Sequence, residues 1–348
     1  SYHDPAGTRT EYESFIATND KQETAKLQQF VDAAPLLLPL LPLPKFYQRK
    51  TFSAPIYNGL NVISYMTNGQ FTGINLPNYE EVNCIDGFKN MTLMNIARRK
   101  GNSQKTEAQR IHEHAFEIHV ALHELYGHGS GRLISKEEDK KGQYSLIDPT
   151  EELKQEFGYD LKQGESFNSV FGDISSAYEE CRAETTGIYL MMFDKALEIF
   201  GVQQKDIRQY QINEVELMVS EGIHGLRNWD YKEKKWTQAH SNATYVLLRA
   251  LLNWSNGVIE IEKRQSDDFR VVLIPKYNFN MENAFENIKN ATELLLKHLN
   301  YYKSNALYDE GKEFFGKLSE VDGVFLESLP KVTPSLNLDQ NKEKPKNN

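Results

Sequence analysis

The chain has 348 residues, 39% hydrophobic and 26% charged, with a formal net charge of −9 and two cysteines. That length supports one large or two ordinary domains around a sizeable core, while the acidic balance argues against nucleic acid or an anionic membrane as partner. Two cysteines make no disulfide framework and no signal peptide leads the chain, so the expectation is a cytoplasmic protein.

Taken in chain order, residues 10–34 read as a polar-faced helix. The proline-broken apolar run at 35–44 is too short to span a bilayer and predicts a connector packed on a helical surface. Within 55–95 the character changes: Leu60-Asn61-Val62-Ile63-Ser64-Tyr65 alternates like a strand and runs into glycine and proline turns. From 108 to 127, Ile111, Ala115, Ile118, Leu122 and Leu125 recur at helical spacing, and Gly127, Gly129 and Gly131 end that helix. A charged loop over 135–168 precedes helices near 172–200, 205–226 and 236–254. A hairpin joins 258–262 to 270–274, and helices near 281–303 and 305–318 complete the body. The hydrophobe-poor tail 331–348 predicts disorder. The fold class expected is mainly α with a minor β component.

The densest chemistry lies in His123-Glu124-Leu125-Tyr126-Gly127-His128. A zinc hydrolase needs this set: neutral imidazoles to hold Zn²⁺ and a glutamate to deprotonate water. The common pattern, H-E-x-x-H, spaces the histidines four apart; here they are five apart. On a regular α-helix five residues leave the second ring about 140° from the first, against about 40° for four. One residue inserted as a π-bulge restores the common face, and Gly127 eases the distortion. The bland alternative is two unrelated histidines on an amphipathic helix. His119, four before His123, has nothing like Glu124 between and reads as surface.

A catalytic zinc takes three protein ligands, so a third must come from elsewhere. The best candidate is Tyr178-Glu179-Glu180-Cys181-Arg182-Ala183-Glu184, at the start of a helix. Glu180 and Glu184 share a face, so one can ligate while the other reaches a ligand histidine, and Glu179 can accept from the second ring. Such carboxylate–histidine contacts fix the tautomer. Alone, the segment also reads as a solvated helix face with i,i+4 charges, and Cys181 as a buried apolar residue rather than a thiolate ligand.

HELYGHGSGRL followed by EECRAE resembles the dipeptidyl peptidase III family of M49 metallopeptidases, whose paired signature is H-E-x-x-G-H and E-E-x-R-A-E/D. FTGINLPNYEEV, GFKNMTL, ALEIFG, WTQAH and LLRALL extend the likeness to about residue 330. The resemblance implies one zinc ion held by His123, His128 and Glu180, with Glu124 as general base and acid. Glu179 and Glu184 would then partner the ligand histidines. It implies that His240 stabilises the oxyanion, that Asn75 and Asn78 receive the substrate's α-ammonium, and that Arg249 lies near the cleft. The implied activity is release of dipeptides from short peptides with a free amino terminus, by a monomer. It further implies a helical catalytic lobe over 1–54 and 106–330, and a segment of a second, β-containing lobe over 55–105.

Some features depart from the family pattern. Thr244 replaces a basic residue, an arginine has no match at 335–338, and family members carry an upstream half that supplies further substrate contacts. A zinc-holding but inactive scaffold is therefore the main rival, and a broader endopeptidase the second.

Overall fold

The computed structural model describes residues 14–44, 47–48, 56–66, 73–76, 89–97, 106–131, 167–265, 271–305 and 307–329. It opens on a strand, β1 (Ser14–Asn19), where the sequence predicts a helix over 10–34. Asp20 marks the change: its side chain accepts from the N–H groups of Gln22 and Glu23, capping α1 (Lys21–Asp32). The next strands are β2 (Ile56–Met66), β3 (Gly73–Leu76) and β4 (Lys89–Leu93), in the order β1-β2-β4-β3. β1 pairs antiparallel with β2, β2 parallel with β4, and β3 antiparallel with β4. Between α1 and β2, the proline-rich run folds into a short helix, Ala34–Leu37, and a 3₁₀ turn, Leu38–Leu40. Leu37, Leu41 and Leu43 carry it into the core, as its apolar composition predicts.

The helical body begins with α2 (Glu107–Leu122), started by a Thr106–Gln109 capping box. It passes directly into a π turn, His123–Gly127, in which His128 N–H donates to His123 O at 3.1 Å. Tyr126 in this turn donates to Phe30 O and ties it to α1. A Cβ on Gly127 would stand 2.7 Å from both Cα and Cβ of Ala183, so only glycine allows the turn to lie directly on the next long helix. That helix is α3 (Ser175–Met191), with Tyr178, Cys181, Ala183, Ile188 and Leu190 fully buried.

The single helix expected over 172–200 breaks at Met192 and Phe193, and α4 (Asp194–Ile199) follows. Next come α5 (Ile207–Gly225) and α6 (Ala239–Trp254), which touch closely at Gly222: a Cβ there would meet Thr244 O at 2.8 Å. The expected hairpin forms from β5 (Ile259–Gln265) and β6 (Val271–Tyr277). α7 (Ala284–Ser304), α8 (Tyr308–Ser319) and a short α9 (Gly323–Ser328) finish the described chain, the last too brief to leave a periodic signal. The fold is mainly α with a minor β component. Among the described residues, no helix is long and apolar enough to cross a membrane.

Candidate metal centre

The π turn resolves the spacing problem of the two histidines. With one extra residue in the turn, Nε2 of His123 and Nε2 of His128 lie 3.3 and 3.5 Å from the same oxygen, Glu180 Oε2. Zinc bonds of about 2.1 Å at tetrahedral angles put neighbouring ligand atoms about 3.4 Å apart, so these separations are those of an ion's coordination edge. Glu180 Oε2 is buried and makes no hydrogen bond, although His240 Nδ1 also stands 3.3 Å away. An oxygen surrounded by ring nitrogens at that distance, and bonded to none, fits a shared cation better than a proton.

The opposite edges of both rings are held. His123 Nδ1 lies 3.4 Å from Glu184 Oε2, and His128 Nδ1 lies 3.2 Å from Glu179 Oε1. Glu179 is in turn gripped by two buried cations. Its Oε2 accepts from Lys303 Nζ at 2.7 Å and from Arg182 Nε at 3.0 Å, and its Oε1 accepts from the other Arg182 arm at 2.5 Å. Glu184 Oε2 also contacts His119 Nε2 at 2.7 Å, and His119 Nδ1 meets Glu214 Oε1 at 2.6 Å.

His119 is thus buried, 3% exposed, not a surface residue. It shares a helix face with His123, and Glu184 and Gly187 of α3 together with Glu214 of α5 enclose its ring. Its spacing was the signal that could have placed it inside. Lys303 and Glu214 had none, because their partners lie on sequence-distant helices.

The charge states follow from these contacts. Burial disfavours the carboxylate of Glu180, yet His240 and His128 hold it far below the ordinary range. Glu184 is likewise held low against burial by His123 and His119, and Glu179 by Arg182 and Lys303. Burial opposes charge on the rings as well, but Glu184 and Glu180 raise His123 to about 9, and Glu180 and Glu179 raise His128 to about 10.

A metal ion must displace those protons, which gives a pH prediction. The raised rings stabilise the metal-stripped fold fully below their unfolded pKa of about 6.5. That contribution disappears as pH rises through about 9 to 10. Melting of chelator-treated protein should therefore fall across this window while affinity for a divalent ion climbs. A melting temperature that rises between about pH 7 and 9 contradicts the assignment.

The remaining predicted site residues divide. Glu124 sits in the π turn, half-buried, and β3 runs beside it: a Cβ on Gly73 would lie 3.4 Å from Glu124 Oε1. Tyr57 of β2, bonded to Thr92 of β4 at 3.0 Å, also feels the Glu124 charge. His240, in the first turn of α6, is 40% exposed and covers the open side of Glu180. Asn75 lies in β3 opposite Asn90, two residues from Gly73; its side chain, and the whole of Asn78, fall outside the described residues, as do 132–166 and 330–348. Arg249 contacts Glu320 O and Asp322 Oδ1, both at 2.8 Å, and is not among the groups that meet at Glu180. Thr244 is buried against α5, bonding to His240 O at 3.0 Å. Cys181 is fully buried and points into the core cluster.

Comparison with known proteins agrees with this geometry. The model of Peptidase family M49 matches residues 1–337. The chain is 36% identical over 343 residues to dipeptidyl peptidase 3 of Nematostella vectensis, covering 94% of this chain and 46% of that protein. It is 34% identical over 285 residues to dipeptidyl peptidase 3 of Homo sapiens, covering 78% and 38%. It therefore spans about half the length, or less, of the curated relatives it matches. In fold it is similar to dipeptidyl-peptidase III from Corallococcus sp. strain EGB, with a TM-score of 0.62 at 18% identity over 91% of this chain and 52% of the other. The DPP III structure from Caldithrix abyssi gives 0.60 at 20% identity, over 91% and 53%. With the paired histidines, the distant glutamate and the carboxylates behind them already in place, these matches show that the chain belongs to peptidase family M49.

Proposed function

We propose that the chain carries the catalytic centre of a zinc-dependent dipeptidyl peptidase acting on short peptides with a free amino terminus. The observation that carries this reading is the convergence of His123 and His128 on Glu180 Oε2, with Glu124 in the same π turn. Held by His123, His128 and Glu180, zinc would supply Lewis acidity, lowering the pKa of water toward about 7 and polarising a peptide carbonyl.

The side chains divide the remaining work. Glu124 takes a proton from the attacking water and returns it to the departing amine. Glu179 and Glu184 accept from the Nδ1–H groups of His128 and His123, which leaves Nε2 of each ring as the donor atom. His240, on the open side, donates to the carbonyl oxygen as negative charge develops there. Asn75 and Asn78 receive the α-ammonium, and anchoring that charge at a fixed distance selects the bond two residues in. The closeness of β3 to Glu124 supports this placement. On this reading 1–54 and 106–330 form the catalytic lobe, 55–105 belongs to a second lobe, and the enzyme works as a cytoplasmic monomer.

The test is release of dipeptide from an Arg-Arg chromogenic substrate, with and without chelator. Chelator-sensitive release, together with no cleavage of amino-terminally blocked peptides, is the expected result. Zinc binding without turnover would favour the scaffold reading, and cleavage of blocked peptides an endopeptidase.

A further inference from the structure

Behind the ligand His123 lies a chain of contacts that runs beyond both signature motifs, to His119 and Glu214. Glu214, on α5, is fully buried, and its Oε1 stands 2.6 Å from His119 Nδ1 as an ion-pair contact without hydrogen-bond alignment. The other edge of the same ring meets Glu184 Oε2 at 2.7 Å, and that one oxygen lies 3.4 Å from His123 Nδ1. Three helices thus meet in a sequence Glu214, His119, Glu184, His123. The ring's seat is shaped for it: a Cβ on Gly187 would come within 2.7 Å of His119 Cε1 and 2.8 Å of Nδ1. A glycine inside a helix costs about 1 kcal/mol relative to alanine, and here it makes room for this imidazole.

His119, His123 and Glu184 are also close enough to suggest a second ion. The 2.7 Å separation of His119 Nε2 and Glu184 Oε2 is a hydrogen-bond length. It is well under the edge of about 3.4 Å that two zinc ligands keep.

We propose that His119 is a positioning residue: anchored by Glu214, it holds Glu184 Oε2 where that oxygen receives His123 Nδ1–H, and so aims His123 Nε2 at the metal. The proposal rests on the zinc reading above. Glu184 alone has rotational freedom about its side-chain bonds; a donor on its far side removes it. Outer hydrogen-bond partners of this kind typically change metal affinity by about 10–100-fold when removed.

The experiment measures zinc affinity by competition with a chromophoric chelator, independently of turnover. Removing His119 alone would leave Glu214 buried without a partner, so the first variant is His119→Leu/Glu214→Met, since apolar replacement of a buried ionic pair is often neutral for stability. Its zinc dissociation constant should rise about 10–100-fold, with the metal-free melting temperature close to wild type. His119→Gln/Glu214→Gln, which restores a donor toward Glu184, should recover most of the loss. A merely structural role would move melting and not affinity. His119→Asn, too short to span both carboxylates, is read by the same threshold should the apolar pair not fold. Affinity within about three-fold of wild type in His119→Leu/Glu214→Met, or in His119→Asn, or no recovery in His119→Gln/Glu214→Gln, overturns the positioning role. Failure of the wild-type chain itself to bind zinc more tightly than Glu180→Ala overturns the zinc reading instead.

Discussion

Glu124→Gln is expected to lower peptide hydrolysis by about two to four orders of magnitude, the usual contribution of a general base, while zinc affinity stays within a few-fold. The substitution keeps the size and shape of the side chain and removes its ability to accept a proton. Glu124 is not one of the groups that converge on Glu180 Oε2; those are His123, His128 and His240. Its carboxylate lies beside the β3 backbone, and its charge acts on His128. Measuring kcat, KM and the zinc dissociation constant of the variant separates the roles. Loss of zinc along with activity would make Glu124 a ligand. Activity within about tenfold of wild type would remove it as the base.

Lys303→Met should destabilise the protein by about 3–5 kcal/mol, the cost of breaking a buried ion pair from one side. Lys303 is 2% exposed and its Nζ lies 2.7 Å from Glu179 Oε2. Methionine fills similar volume, so the effect is electrostatic: Glu179 keeps Arg182 but loses its second cation. At roughly 2–4 °C per kcal/mol, the melting temperature should fall on the order of 10 °C. Adding Glu179→Gln should recover a large part, because the stranded charge is then gone. A drop of less than about 2 °C would mean that Lys303 contributes little to holding Glu179 in place.

Several parts of the fold were legible because short-range chemistry specifies them. The hairpin of β5 and β6 and the amphipathic α7 and α8 follow from alternation and helical periodicity. The strand β1 was not legible, since six residues after a polar stretch become a strand only by pairing with β2, some forty positions on. The break between α3 and α4 is similar: Met192 and Phe193 carry no proline or glycine, and packing decides the turn.

Within the candidate centre the division is sharper. Five-residue spacing of His123 and His128 around a glycine admits only one local solution if both rings are to act together, and the π turn is that solution. Glu179, Glu180 and Glu184 were likewise readable, because a helix places them at known angles. What lies behind them was decided by tertiary structure alone. Glu214 reaches His119 from α5, and Lys303 reaches Glu179 across 124 residues. Sequence spells out angles around one helix axis; which buried charges neutralise one another depends on how separate helices pack, and that depends on the whole core.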